Sequence, residues 1–150
     1  MKKPASLQKW LLDSVDHLKT NPESLHIHID GGNLNCRLEN SLHFCTEYTL
    51  TLFVMDMEGT SDLVMVPLLA WVQRNQIDIK PDAIKFSADI LNRTTYDLEI
   101  TLPLSENCVI NIDDDGKWST IYQDEHQPDY LQPEPAKLQT LFGNNEQLGP

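Results

Sequence analysis

Apolar and polar positions recur along the chain with two different periods, one helical and one extended. Two segments have the helical period: residues 6–19 carry one apolar stripe, and residues 61–76 are apolar nearly all round. Ser6 is the expected N-cap of the first helix and Ser61 or Asp62 that of the second, because their side-chain oxygens accept a hydrogen bond from a free N–H of the first turn. Pro67 predicts a kink or a delayed start in the second helix. We expect that helix to lie across a sheet in the core; the alternative is that part of its surface is covered by another subunit.

The other periodic segments alternate with a period of two, which is typical of half-buried strands. Gly31-Gly32-Asn33 is predicted to form a tight turn between the first two strands. Pro103 is predicted to end a strand or to lie at a sheet edge, because proline has no N–H to donate. The predicted strands are residues 25–30, 34–38, 42–57, 84–90, 96–102 and 109–112, with a possible return strand at 118–122.

The order α-β-β-β-α-β-β-β predicts the α+β class, with a mixed or antiparallel sheet and two flanking helices. The predicted domain covers residues 1–123. Residues 124–150 form a separate acidic, proline-rich segment and are expected to be an extended tail. Within it, Leu138, Leu141 and Phe142 have the spacing of one helical turn and are predicted to dock on a neighbouring subunit.

Charge and cysteine content exclude several classes of function. The net charge of −12 and the pI of about 4.6 argue against binding to nucleic acid or to an anionic membrane, both of which require a basic surface. The second helix is too short and too charged to span a membrane. Three cysteines without a CxxC spacing indicate free thiols in a reducing cytosol. The first twelve residues lack the apolar region of a secretory signal.

Three clusters of polar residues are candidate metal-binding or catalytic sites. His26 and His28 lie on one side of a predicted strand, but no third ligand has a characteristic zinc spacing. The segment 113–116 resembles the start of a calcium loop without its closing glutamate. Asp89, Asp97 and Glu99 are most simply explained as an acidic sheet surface. No glycine-rich phosphate loop or nucleophile elbow is present, so the sequence predicts no metal, no cofactor and no catalytic residues.

Several segments together resemble the tail completion protein R family of contractile-tailed temperate phages. The resemblance runs in order through about residues 1–112, and its most specific parts are KPASL (residues 3–7), VPLLAW (residues 66–71) and the pattern ADI…LPL.E (residues 88–106). The chain differs from the family pattern at His26 and His28 and in its C-terminal segment. These motifs are family signatures, and the family has no catalytic residues to transfer.

The resemblance implies a non-enzymatic structural protein of the virion, assembled in the host cytoplasm. Such proteins complete or terminate the tail at its head-proximal end and make it competent to join the head, and the fold would be similar to that of tail terminators. A cap matching a six-fold tail would be a homo-oligomeric ring of six copies that contacts the head–tail connector and either the tail tube alone or the tube and the sheath. Candidate interface residues are Trp71, Pro103, Leu138, Leu141 and Phe142.

Two other classes of function remain open from the sequence. One is an acidic binding or immunity-type protein that sequesters a basic partner, which size and charge alone suggest. The other is a small metal hydrolase that uses His26, His28 and a carboxylate. A pull-down would identify the basic partner, and elemental analysis of the purified protein would detect the metal.

Overall fold

Five strands form one antiparallel sheet in the computed structural model, which describes residues 1–124. The strand order is β1-β2-β4-β3, and β5 pairs with the far end of β4. The strands are β1 (Leu25–Cys36), β2 (Phe44–Glu58), β3 (Lys85–Ile90), β4 (Thr95–Ile112) and β5 (Trp118–Tyr122). The sheet is therefore antiparallel rather than mixed, and the α+β class is confirmed.

Three helices accompany the sheet: α1 (Lys3–Ser14), α2 (Asp16–Thr20) and α3 (Asp62–Asn75). The predicted first helix is divided at Val15, whose backbone is extended and whose side chain is buried. It also begins earlier than predicted, with Pro4 in its first turn, so Ser6 is inside the helix and is not its cap. The second predicted helix is confirmed as α3, with Pro67 inside it, although Ser61 makes no side-chain cap bond.

The predicted tight turn at Gly31-Gly32 is wrong, because β1 continues through it as one strand. The pairing register of β1 with β2 shifts between Ile29 and Gly32, which is a β-bulge. Gly31 has a φ of +122°, a conformation that glycine adopts readily. A Cβ on Gly32 would lie 2.2 Å from the backbone oxygen of Glu47, so the strands approach too closely there for a side chain. The two predicted strands are therefore one bulged edge strand.

The predicted end of a strand at Pro103 is also wrong, since Pro103 lies within the 18-residue strand β4, opposite Thr49 of β2. Its position is still a local sheet edge. The pairing of β4 with β3 ends at Thr101, and its pairing with β5 begins at Cys108. Between these points β4 has a strand partner on the β2 side only, which is where a proline can be accommodated.

The core lies between the helices and one face of the sheet. Directly paired residues of adjacent strands share a face, so Leu50 and Leu52 of β2 lie on the same side as Leu102 and Ile100 of β4. These four side chains are fully buried, as is Trp71 of α3. They belong to one core cluster that also contains Leu7 and Leu11 from α1, Leu68 from α3, and Leu98 and Leu104 from β4. The helices cover this helix-side face, and the opposite, open face has no covering layer of helix or strand among the described residues.

Candidate functional site

Trp71, the first predicted interface residue, is fully buried in the core cluster. Its indole Nε1 donates a hydrogen bond of 3.1 Å to the Oγ of Ser6 in α1. Trp10 of α1 forms a second bond between the same two helices. Its Nε1 donates to the carbonyl oxygen of Pro67 in α3 at 2.8 Å. Trp71 therefore packs the two helices together within one chain. A direct contact of this side chain with another subunit stays a prediction.

Pro103, the second predicted interface residue, is exposed beside the unpaired stretch of β4. Gln76, which follows α3, satisfies part of this edge: its Oε1 accepts from the backbone N–H of Ser105 at 3.0 Å. An open cavity of 610 Å³ next to Pro103 is lined by Gly32, Gln76 and Lys80. Pro103 is exposed, and its contact with another subunit stays a prediction. Leu138, Leu141 and Phe142 lie outside the described residues.

A buried polar network at the start of α1 was not predicted. The carboxylate of Glu106 on β4 accepts hydrogen bonds from the backbone N–H groups of Lys2 at 2.7 Å and Lys3 at 3.1 Å. Its other oxygen accepts from the hydroxyl of Tyr48 on β2 at 2.6 Å. Glu106 therefore does from another element what an N-cap side chain usually does, and its negative charge lies at the positive end of the helix dipole.

The network continues through the side chain of Lys3, whose Nζ donates to the Oε1 of Gln76 at 2.7 Å. The Nε2 of Gln76 in turn donates to the Oγ of Ser105 at 3.0 Å. Burial, together with the hydrogen bond to Glu106, raises the pKa of the Tyr48 phenol well above its ordinary value of 10. The phenol is thus held in its neutral, donating form. The network joins the start of α1, the end of α3 and the middle of β4.

The three most specific parts of the family resemblance meet in this region. Lys3 and Ser6 belong to KPASL, Trp71 to VPLLAW, and Glu106 to the pattern that ends in LPL.E. The hydrogen bonds Lys3 N–H to Glu106 and Trp71 to Ser6 connect all three. The sequence signal was present in these motifs, but their spatial meeting could not be inferred from spacing along the chain. Their shared role in the structure is to close the helix layer onto the sheet.

The clusters considered for metal chemistry are exposed. His28 Nε2 lies 3.3 Å from Asp30, which also accepts a hydrogen bond from Thr51. Asp113 accepts two backbone N–H groups of its own turn. Across residues 1–124, no group of three or more His, Cys, Asp or Glu side chains is placed to hold a metal ion. In the same residues, no helix is long and apolar enough to cross a membrane.

Two apolar surfaces are exposed on the described chain. On α3, Leu63, Val66 and Leu69 point away from the core and are 44%, 37% and 54% exposed. On β3, Phe86 and Ile90 pair with Ile100 and Tyr96 of β4 and so lie on the helix-side face, yet they remain 68% and 75% exposed. The helix layer therefore does not reach the β3 edge.

The open face of the sheet is polar and largely acidic. Register places on it His26, His28, Asp30, Glu47, Lys85, Asp89, Asp97 and Glu99, together with several threonines and serines. Asp97 also has a structural role, because its Oδ1 accepts from the backbone N–H of Asp56 at a second bulge. The acidic sheet surface predicted from Asp89, Asp97 and Glu99 is therefore present.

Comparison with known proteins agrees with the resemblance noted in the sequence. The family model for the P2 phage tail completion protein R (GpR) matches residues 1–129. The tail completion protein R of Escherichia phage P2 is 41% identical over 117 residues, which cover 74% of this chain and 76% of that protein. No solved structure gives a significant match. The chain belongs to the phage tail completion protein R family.

Proposed function

We propose that the chain is a non-enzymatic structural protein that completes the phage tail at its head-proximal end and makes it competent to join the head. The observation that carries this proposal is the family match over residues 1–129. The relative that is 41% identical is a tail completion protein R, which supports the same proposal. The protein would be assembled in the host cytoplasm and would remain in the tail of the virion.

The form of the cap would be a closed ring of identical copies, six if it matches a six-fold contractile tail. A ring needs heterologous interfaces, in which one patch of a subunit meets a different patch of the next. Its partners would be the head–tail connector and either the tail tube alone or the tube and the sheath. Exposed Pro103 and the apolar stripe Leu63, Val66 and Leu69 of α3 are surfaces that such contacts would use.

The open face of the sheet would line the passage for DNA in such a ring. Its carboxylates include Asp30, Glu47 and Glu99, which register places on one surface. A negative lumen repels phosphates, so DNA would pass through without binding. The net charge of −12 agrees with a protein that lies next to DNA and does not hold it.

The test is deletion of the gene in an inducible lysogen, followed by electron microscopy of the lysate. We expect filled heads beside unattached tails, often of irregular length, and recovery of infectious particles when the wild-type gene is supplied in trans. Normal particles in the deletion strain would overturn the proposal. The search would then turn to a basic partner in a pull-down.

A further inference from the structure

The sheet has two free edges that run in opposite directions. β1 and β3 are the end strands of the order β1-β2-β4-β3, and every neighbouring pair is antiparallel. If a second copy is placed beside the first with its helices on the same side, its β1 lies antiparallel to the β3 of the first copy. A free edge presents unpaired N–H and C=O groups and is a template for another strand.

The β3 edge carries charged side chains only on the open face, and its helix-side face exposes apolar residues. Phe86 and Ile90 are 68% and 75% exposed on it, although they face the helix side of the sheet. The β1 edge is regular over residues 25–29, and its bulge lies between Ile29 and Gly32. β3 is six residues long, so it can span this regular stretch together with Asp30, the first residue of the bulge.

One register between residues 25–30 of β1 and residues 85–90 of β3 gives favourable pairs on both faces of the sheet. Antiparallel pairing of Lys85 with Asp30 also places Asp89 opposite His26 on the open face. On the helix-side face the same register pairs Phe86 with Ile29, Ala88 with Ile27, and Ile90 with Leu25. Opposite charges and apolar side chains are the cross-strand pairs that stabilise antiparallel sheets. A shift by two residues towards the start of β1 loses the pairing of Lys85 with Asp30, and a shift the other way runs further into the bulge at Gly31 and Gly32.

We propose that neighbouring copies of this chain join edge to edge, β3 of one pairing with residues 25–30 of the next, so that one antiparallel sheet continues around the ring. This inference rests on the proposed ring and names its interface. It also accounts for the uncovered apolar residues of β3, since Phe86 and Ile90 would be covered by the next subunit's Ile29 and Leu25. The alternation of strand directions allows the joining to be repeated until the ring closes.

The test introduces a cysteine on each edge at positions that the register places opposite each other, His28→Cys and Ser87→Cys. Both side chains are exposed in the single chain. The Cα atoms of directly opposed residues lie about 4.5–5.5 Å apart, within the range of a disulfide. The exposed native thiol Cys36 is replaced by serine in all variants. Tails from a lysogen carrying the variant gene are oxidised, and covalent multimers are separated on a denaturing gel.

We expect a ladder of multimers from the double variant only. Tails with His28→Cys alone or Ser87→Cys alone give no ladder, because each joint then has one thiol. The pair His26→Cys with Ser87→Cys is the register control and gives a much weaker ladder. Equal or stronger cross-linking of that pair would overturn the register.

Two further outcomes separate this inference from the proposed function. Copy number per tail is measured by quantitative mass spectrometry on the same samples. Several copies per tail without a ladder would mean that another surface holds the ring together. That result would contradict the edge pairing but not the ring. A single copy per tail would remove the ring and the edge pairing together.

A second variant avoids dependence on disulfide geometry. Ile90→Lys places a charge at a side chain that is 75% exposed in the single chain, so folding is retained. In the proposed joint that lysine faces Leu25, and we expect multimer yield in the double-cysteine background to fall on the order of tenfold. Trp118→Lys, at a side chain of 70% exposure on β5, is the matched control and should leave the ladder unchanged. Equal yields from the two lysine variants would contradict the proposal.

Discussion

Trp71 and Tyr48 show, at the scale of single residues, two different ways in which this domain is held closed. Trp71 fills the space between α1, α3 and the sheet and is fully buried. Tyr48 contributes a hydroxyl that donates to the buried carboxylate of Glu106. The apolar run around Trp71 made its burial predictable. The partner of Tyr48 was not predictable, because 58 residues separate the two along the chain.

Replacing Trp71 with alanine should lower the free energy of unfolding by about 3–5 kcal/mol, through lost apolar contacts and the cavity that remains. Urea denaturation of the purified chain measures this. Trp118→Ala is the control, since Trp118 is 70% exposed and its loss should change stability by about 0.5 kcal/mol or less. A Trp71→Ala protein of unchanged stability that fails to assemble would show that the residue acts at an interface.

The raised pKa of Tyr48 predicts a loss of stability in alkaline solution. The unfolded chain ionises its tyrosines near pH 10, while Tyr48 in the folded chain stays protonated to higher pH. The unfolded state therefore binds fewer protons above pH 10, and the free energy of unfolding falls by up to about 1.4 kcal/mol per pH unit. Denaturation curves between pH 9 and pH 11 measure the slope.

Tyr48→Phe should make that slope shallower, even though the variant loses the hydrogen bond to Glu106. Tyr96 and Tyr122 also have raised pKa values from partial burial, so some pH dependence remains. Tyr122→Phe is the matched control and should alter the slope less, because Tyr122 lies at the surface end of β5. An unchanged slope in Tyr48→Phe would contradict the assignment.

Element boundaries show where sequence patterns were sufficient and where they failed. α3 and the β3–β4 hairpin followed their periods, because the turn at residues 91–94 and the polar ends of α3 are local signals. Glycine pairs occur both in tight turns and in β-bulges, so Gly31-Gly32 alone does not distinguish the two. The pairing of β1 with β2 does. The extent of β4 past Pro103 depends likewise on β2, which supplies its partner along the whole stretch.

Gly32→Ala tests the bulge as a feature of β1. A Cβ there would lie 2.2 Å from the backbone oxygen of Glu47 and 2.7 Å from the Cβ of Tyr48. Both residues belong to the paired strand β2, so they cannot move aside freely. We expect a loss of about 1–3 kcal/mol in the free energy of unfolding. Thermal or urea unfolding of the purified chain gives the value. Asn33→Ala, at the next and exposed position, serves as the comparison and should be near neutral.

The whole molecule is a two-layer domain whose surfaces differ in charge and in how far they are covered. The sequence predicted these differences only in part. Composition predicted an acidic protein, and periodicity predicted one apolar side for each strand. Neither could show that the helices leave β3 uncovered or that the open face collects Asp30, Glu47 and Glu99. Those features depend on strand order, which local signals do not encode. They are also the features on which the proposed ring depends, so the gene deletion and the cross-linking experiments test them at this scale.

The contact between Glu106 and the first turn of α1 also has a consequence for how the chain matures on the ribosome. Residues 2 and 3 are synthesised about a hundred residues before the carboxylate that caps them. Contacts of such large sequence separation form late, because the intervening loop must close first. The capping contact of α1 with Glu106 therefore forms only after β4 has joined the sheet. The hydrogen bonds between Glu106 and the first turn of α1 are therefore among the late contacts of the fold.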